Sequence, residues 1–292
     1  MSENPILALA EKQEWLQPIQ DAGEEFVKDA YQSAGPGGRK VKNFLHGVWL
    51  GHPLHSAITD VPVGSWTAAL VLDCLEAGGK PEYSAGADAA IAVGLVGALG
   101  SAVSGLTDWS DTHGKPQRVG ALHGLLNVGA TVLYTGSYIS RKANKRSAGR
   151  GLGLLGYALV LASAYLGGEL AYAQRIGVNH APEPDRLPQD YTAVCTEAEL
   201  VEGHPKKASV DGTDIFLLKK GGTIYALAET CSHLGGPLSE GDIEGNTVRC
   251  PWHGSRFCLK DGSVVDGPAT NPQPALDVKV QNGQVLVKSQ QA

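Results

Sequence analysis

Positive charge is in short supply in this chain of 292 residues. Its 24 Lys and Arg face 30 Asp and Glu, for a net charge of −6. That balance argues against a nucleic-acid surface. Cysteine is scarce and odd in number, and Cys74, Cys195, Cys231, Cys250 and Cys258 do not read as a disulfide framework. The opening residues MSENPILALAEKQEW lack a basic stretch followed by an apolar core and a small-residue cleavage site. Neither a cleavable signal peptide nor a twin-Arg signal is therefore expected. Charge also thins between Ser56 and Ala173, where Gly, Ala, Leu and Val dominate, and returns after Pro182. The length fits two domains, and the composition makes them unlike.

Four apolar stretches lie in the charge-poor part: Ser56–Leu75, Ala85–Leu106, Gly120–Ile139 and Gly151–Ala173. Each has about 20 residues, the length of a helix that crosses a hydrocarbon core. Gly94, Gly97, Ala98, Gly100, Ser101 and Gly105 would let such helices approach closely. Trp49, Trp66 and Trp109 fall near the ends, where interfacial aromatics belong. The alternative is a soluble Ala/Gly-rich bundle, but four stretches of spanning length favour lipid. Ahead of them, Ile6, Leu9, Leu16, Ile19, Phe26 and Ala30 recur at helical spacing up to the Gly35-Pro36-Gly37-Gly38 run. One or two amphipathic helices are expected there, on a membrane surface, on the second domain or simply solvated.

Residues 176–190 hold three prolines and no periodicity, as in a semi-rigid linker. From Tyr191 onward, short β-rich runs (Ile215–Leu218, Thr223–Leu227, Thr247–Arg249, Val278–Val280, Val285–Val287) alternate with Gly, Asp and Asn turns. The expected organisation is multidomain: a helical lead-in (1–45), an all-α bundle of four transmembrane helices (46–178), a Pro-rich linker (179–190) and an all-β domain (191–292).

The all-β part contains Cys231-Ser-His233-Leu-Gly-Gly-Pro and, with sixteen residues between His233 and Cys250, Cys250-Pro-Trp-His253-Gly-Ser. Each half offers one thiolate and one imidazole. Two such loops facing each other suit a 2Fe-2S centre in which one iron takes two Cys and the other two His. A zinc site is the competitor for this donor set. The second loop does not read as a finger helix, and Glu240–Gly245 fits a hairpin between the loops. Gly267-Pro268-Ala269 follows at a distance suited to covering the site, and Gly235, Gly236 and Gly254 allow sharp turns and close backbone approach.

Across about Tyr191–Ser289 these residues resemble the Rieske ferredoxin family, with "IYALAETCSHLGGPLSEGDIEGNTVRCPWHGSRF" and "DGSVVDGPAT" carrying the likeness. The resemblance implies Cys231, His233, Cys250 and His253 as metal ligands, with both imidazoles exposed at the tip. The high-potential branch of that family carries a further cysteine in each loop, joined as a disulfide. Here those places hold Gly236 and Trp252. A disulfide-free ferredoxin of low-to-intermediate potential is therefore expected, with Ser255 a candidate donor to sulfur. Cys195 and Cys258 are expected to be free thiols.

Five further histidines, His46, His52, His55, His113 and His123, fall by topology at one end of the helical part. Asp60, Asp108 and Glu169 fall at the same end, where ionisable groups mark a site or a bundle interior. His55 with Asp108 and His123 with Glu169 hint at an internal repeat. The stretches "HPLHSAITDVPVGSW", "SGLTDWSD", "ALHGLLNVGA" and "LGGELAY" resemble an uncharacterised four-helix bacterial membrane family over about Leu45–Val178. Two cofactor readings compete for His52, His55, His123 and the three acids. One is a b-type haem on His55 and His123, and the other a metal ion or quinone headgroup. A third reading is a hydrogen-bonded polar cap.

The expected function is one-electron transfer by a membrane-anchored Rieske protein. Its cluster would exchange electrons with a redox partner protein, a quinone or the His-rich face of the bundle. The rivals are a component of a Rieske oxygenase or other oxidoreductase, and a redox sensor with a membrane anchor. A carrier or component is favoured over a stand-alone enzyme, and no catalytic residue is assigned. Membrane lipid is an expected partner, nucleic acid is not, and a homo-oligomer is compatible with the reading. The location is the bacterial cytoplasmic membrane, crossed several times. The five basic residues of Arg141–Arg150 and the five at Arg39, Lys40, Lys42, Lys115 and Arg118 oppose each other as orientation signals. The expectation leans to a cytoplasmic Rieske domain, because a cluster without a disulfide suits a reducing compartment.

Overall fold

The computed structural model describes residues 13–290. The chain divides into two compact units. The first comprises Met1–Val41 and Pro53–Ile176, and the second Lys42–His52 and Gly177–Ala292.

The first unit is helical. After α1 (Gln17–Ser33) and the start of α2 (Gly35–His46) come α3 (Leu54–Ile58) and α4 (Asp60–Ala77), then α5 (Ser84–Trp109), α6 (Lys115–Lys142) and α7 (Arg146–Gly168). A π-helical turn, Glu169–Ala173, extends α7. The helices α4 and α5 form one antiparallel hairpin and α6 and α7 a second, each packed more closely within itself than on the other. In α5, Gly94, Gly97, Ser101 and Ser104 are buried while Val93, Val96, Leu99 and Val103 are exposed. Small residues inside and large apolar ones outside invert the arrangement of a water-soluble bundle and suit lipid. Three segments, Leu54–Ala77, Pro81–Trp109 and Arg146–Ala173, are long and apolar enough to cross a membrane. The fourth expected span, α6, has the length, but Gln117, Arg118, His123, Asn127, Thr131 and Tyr134 lower its hydropathy. Buried charge holds the far end of the hairpins together. Arg141 donates to Asp73 at 2.7 Å, and Arg146 donates to Asp88 at 2.9 Å and to Glu76.

The lead-in differs from its expected form. The helix α1 ends at Ser33, directly ahead of Gly35-Pro36-Gly37-Gly38 as expected, but the same run also opens α2, because Pro36 near the first position needs no N–H there. The buried residues of α1 are Gln20 and Val27, continuing from buried Leu16 just ahead of it, while Ile19 and Phe26 are exposed. The helix α1 packs on the bundle: Tyr31 Oη lies 2.6 Å from Thr107 Oγ1, and Gln117 Nε2 donates to Glu24 at 2.9 Å. Ile6 and Leu9, counted in the expected amphipathic stripe, lie outside the described residues.

The second unit has two antiparallel sheets. Six strands run in the order β1 (Thr192–Thr196), β10 (Gln284–Ser289), β9 (Ala275–Gln281), β4 (Thr223–Ala228), β3 (Thr213–Lys220) and β2 (Pro205–Val210). The second sheet is β5 (Asp242–Glu244), β6 (Thr247–Arg249), β7 (Arg256–Cys258) and β8 (Val264–Asp266). Alternation along β3 buries Ile215 and Leu217 in one core and Phe216 and Leu218 in the other, the second shared with Val248, Phe257 and Leu259. The Pro-rich segment after residue 178 is ordered on this unit, with Leu187 in its core and His180 N–H bonded to Ser232 O at 2.9 Å. The segment Lys42–His52 also clusters here. Asn43 donates to Asp266 at 2.8 Å and accepts from Gly267 N–H at 3.0 Å.

Candidate metal centre

One loop follows β4, another joins β6 to β7, and both are closed in the same way. In the first, Cys231 N–H donates to Gly236 O at 2.9 Å, and Gly235 N–H donates to Cys231 O at 2.9 Å. In the second, Cys250 N–H donates to Ser255 O at 2.8 Å, and Gly254 N–H donates to Cys250 O at 3.1 Å. Gly235 and Gly254 take φ of +81° and +77°, the left-handed region that glycine enters without a Cβ clash. The loops thus present one Cys–His pair each in related settings.

The four residues expected as ligands come together as two like pairs. The rings of His233 and His253 lie edge to face with centroids 5.0 Å apart. The sulfurs of Cys231 and Cys250 are in hydrogen-bond contact. That contact and burial hold the Cys231 thiol well above its ordinary value. The same contact holds Cys250 below its own. Backbone N–H groups of His233 and Leu234 point at Cys231 sulfur, and those of Trp252 and His253 at Cys250 sulfur. Donors of this kind stabilise negative charge on sulfur. Among the described residues no three His, Cys, Asp or Glu side chains gather where one ion could hold them. Both cysteines are buried, while His233 and His253 are half-buried, less exposed than the resemblance implied.

A 2Fe-2S group fits this donor set of two adjacent sulfurs and two adjacent imidazoles, with backbone N–H groups close to sulfur. A Cβ on Gly236 would lie 2.8 Å from Cys250 Sγ and 3.0 Å from Trp252 Cγ. The two positions where the high-potential branch carries cysteines therefore face each other, and glycine here makes room for an indole. All five cysteines are free. Ser255, the expected donor to sulfur, is buried and accepts Ala269 N–H at 3.0 Å, tying the second loop to the covering segment.

Residues without a sequence signal complete the centre. Buried Gln273 donates to Ala228 O at 2.7 Å and to Thr230 O at 2.6 Å, and accepts from Ser232 N–H at 3.0 Å. Glu229 accepts from the Ser239 hydroxyl and N–H, and burial raises its carboxyl above the ordinary value. His46 is buried against Gly267, whose Cβ would meet its ring at 3.0 Å.

Two of the helical histidines come together. His55 and His123 lie with ring centroids 6.3 Å apart. His55 Nδ1 donates to Ser101 O and His123 Nδ1 to Ser163 O, each at 2.9 Å, and Ser163 Oγ lies 2.9 Å from the same His123 nitrogen. Asp60 is exposed at the start of α4, and Asp108 and Glu169 are half-buried. No third His, Cys, Asp or Glu joins the two imidazoles as a metal-holding group among the described residues. His46 and His52 cluster with the second unit, and His113 is exposed.

Sheets, cluster loops and covering segment together define a Rieske-type iron-sulfur module. Residues 190–283 match the Rieske [2Fe-2S] domain family, and residues 51–180 match a family described as predicted membrane protein (DUF2231). The 3-phenylpropionate/cinnamic acid dioxygenase ferredoxin subunit of Photorhabdus laumondii is 38% identical over 95 residues, 32% of this chain and 90% of that protein. That of Escherichia coli K12 is 36% identical over 32% of this chain and 88% of its own. Human apoptosis-inducing factor 3 is 33% identical over 37% of this chain, which spans 18% of that protein's length. Among solved structures, the ferredoxin of carbazole 1,9a-dioxygenase from Nocardioides aromaticivorans is 29% identical, with 35% of this chain and all of that one covered and a TM-score of 0.33. The chain belongs to the Rieske [2Fe-2S] family, here fused to a predicted membrane domain.

Proposed function

We propose that the chain is a membrane-anchored one-electron carrier whose β unit holds a Rieske cluster, with Cys231 and Cys250 on one iron and His233 and His253 on the other. When bound, such a cluster supplies a one-electron redox couple. The observation that carries the reading is the pair of identically closed loops, each offering one sulfur and one imidazole, with like donors adjacent. A single zinc ion would need all four donors at one point, and no three gather so among the described residues. The four backbone N–H groups aimed at sulfur hold negative charge there. Gln273 and Ser255 fix the loops that carry the donors. Without cysteines at Gly236 and Trp252, a low-to-intermediate potential follows.

The ferredoxin subunits of dioxygenases among the relatives support a redox partner protein as the natural recipient. The outward apolar faces of α5 and the other long helices support a multi-pass anchor in the bacterial membrane. We place the β unit on the cytoplasmic side, which free thiols at Cys195 and Cys258 support. A second electron-accepting group, a b-type haem or a quinone headgroup, would sit at the histidine end of the helical unit, where His55 and His123 meet.

The test is iron and sulfide analysis with electron paramagnetic resonance of the reduced, detergent-purified chain. Two irons, two sulfides and one S = ½ signal per chain are expected, all lost in Cys231→Ala. Zinc in their place, with no signal, overturns the reading.

A further inference from the structure

The two helical hairpins repeat each other residue by residue. Asp73 on α4 and Arg141 on α6 are 68 positions apart and joined by hydrogen bonds. The same offset relates Trp66 to Tyr134, whose rings stack at 4.1 Å, and His55 to His123, whose centroids are 6.3 Å apart. On the second helix of each hairpin, Gly94 corresponds to Gly156, Ser101 to Ser163 and Gly105 to Gly167. Each does the same work twice. Gly94 gives room to Trp66, and Gly156 gives room to Tyr134. Ser101 O holds His55 Nδ1, and Ser163 O holds His123 Nδ1, both at 2.9 Å. Gly105 and Gly167 lie against these same two imidazoles.

Equivalent residues of two repeats touch one another only where the pseudo-twofold axis passes. Three such pairs therefore mark the axis through the helical unit, and the two histidines lie on it. Each imidazole donates from Nδ1 to a carbonyl, which fixes its tautomer and leaves Nε2 as the basic nitrogen. Asn127 Nδ2 lies 3.1 Å from His123 Nε2, consistent with Nε2 being the acceptor. A metal would take that lone pair in its place. Two metal–imidazole bonds of about 2 Å in line, with about 1 Å from each nitrogen to its ring centre, put two ring centres about 6 Å apart. The observed separation is 6.3 Å. Among the described residues no third His, Cys, Asp or Glu joins the two imidazoles, and two donors do not satisfy a bare ion that seeks four ligands. They do satisfy a metal whose other four positions are already filled by a macrocycle.

We infer that the helical unit binds one iron porphyrin on its internal twofold axis, with His55 and His123 as its two axial ligands. This deepens the second-acceptor part of the function proposed above, and its readout does not depend on the iron-sulfur cluster. The site offers equivalent ligands from both hairpins, so the spectrum is that of a six-coordinate, bis-imidazole haem.

The experiment expresses the full chain with added 5-aminolaevulinate and purifies it in detergent. It then records oxidised and reduced spectra, a pyridine haemochrome assay and low-temperature paramagnetic resonance. One haem per chain is expected, with a sharp α band on reduction and a low-spin ferric signal. His55→Ala and His123→Ala should each lower haem content at least tenfold while the reduced iron-sulfur signal persists, which reports a folded β unit, and while the far-ultraviolet helix signal is unchanged, which reports a folded helical unit. The wild-type low-spin signature needs no variant and stands if either one fails to fold. Wild-type protein with an intact cluster signal but no Soret band overturns the inference, whether or not a quinone co-purifies. So does either His variant that keeps haem and the low-spin spectrum. Haem without a cluster signal overturns the iron-sulfur reading alone.

Discussion

Two adjacent glycines in the first cluster loop offer a controlled comparison. Gly235 takes φ +81°, and a Cβ there meets nothing nearer than 3.8 Å. Gly235→Ala should therefore cost about 1–2 kcal/mol from the left-handed backbone alone. Gly236 is the reverse case. Its φ is not in the left-handed region, but a Cβ would stand 2.8 Å from Cys250 Sγ and 3.0 Å from Trp252 Cγ. Trp252 is 55% exposed and can swing away. Cys250 cannot, because it is buried and held through both its N–H and its carbonyl by Ser255 and Gly254. Overpacking of this kind costs about 1–3 kcal/mol, and here it falls on a donor atom. The two variants should unfold at similar temperatures yet differ in iron content. Gly235→Ala should keep near-full cluster occupancy after purification, and Gly236→Ala should lose most of it and show altered g-values. Equal occupancy and unchanged g-values in Gly236→Ala would refute the claim that backbone approach at this position sets the sulfur geometry.

Removing Gln273 with Ala strands two carbonyls and one N–H in the interior. A loss of about 2–4 kcal/mol is expected, read as a lower urea midpoint for cluster bleaching. In the helical unit, Asp73→Ala leaves the fully buried Arg141 side chain without its main partner and should cost about 3 kcal/mol. Asp73→Ala with Arg141→Met should recover most of it in a detergent thermal scan. On the β2–β3 hairpin, the Ser209 hydroxyl and then Lys207 hold the Asp214 carboxyl below its ordinary value. Stability from a depressed carboxylate is present above its unfolded value, about pH 4, and is lost as pH falls through the folded value. Asp214→Asn should therefore be less stable than the parent at pH 6, and the difference should vanish on acidification below pH about 3 in an equilibrium unfolding series.

The parts of this molecule that were readable from sequence are those in which function is local. Cys231 with His233 and Cys250 with His253 are separated by one and two residues, and a short loop is enough to present each pair. The long helices were readable by length, because each must hold all its backbone bonds within the segment. What escaped notice was long-range. Gln273 stands 41 residues from the Ser232 N–H it accepts, and a lone glutamine has no pattern. Asn43 stands 223 residues from Asp266, and nothing in Lys42–His52 says that it packs on the β unit. The lead-in stripe is not legible from apolar spacing, because Gln20 and Tyr31 are used on the inner face while Ile19 and Phe26 are left outside. The repeat of His55 by His123 is legible in the sequence, but the backbone carbonyls of Ser101 and Ser163 that hold the two rings are not, because every residue has a carbonyl.

The central claim is that two cysteines hold one iron and two histidines the other. Electron spin echo envelope modulation of the reduced chain, grown with ¹⁵N-histidine, tests it directly. The account predicts two strong, distinct nitrogen couplings that change with the label and fall to one in His233→Cys. A reduced signal with no histidine nitrogen coupling, or with four sulfur ligands by iron-edge X-ray absorption, would contradict it.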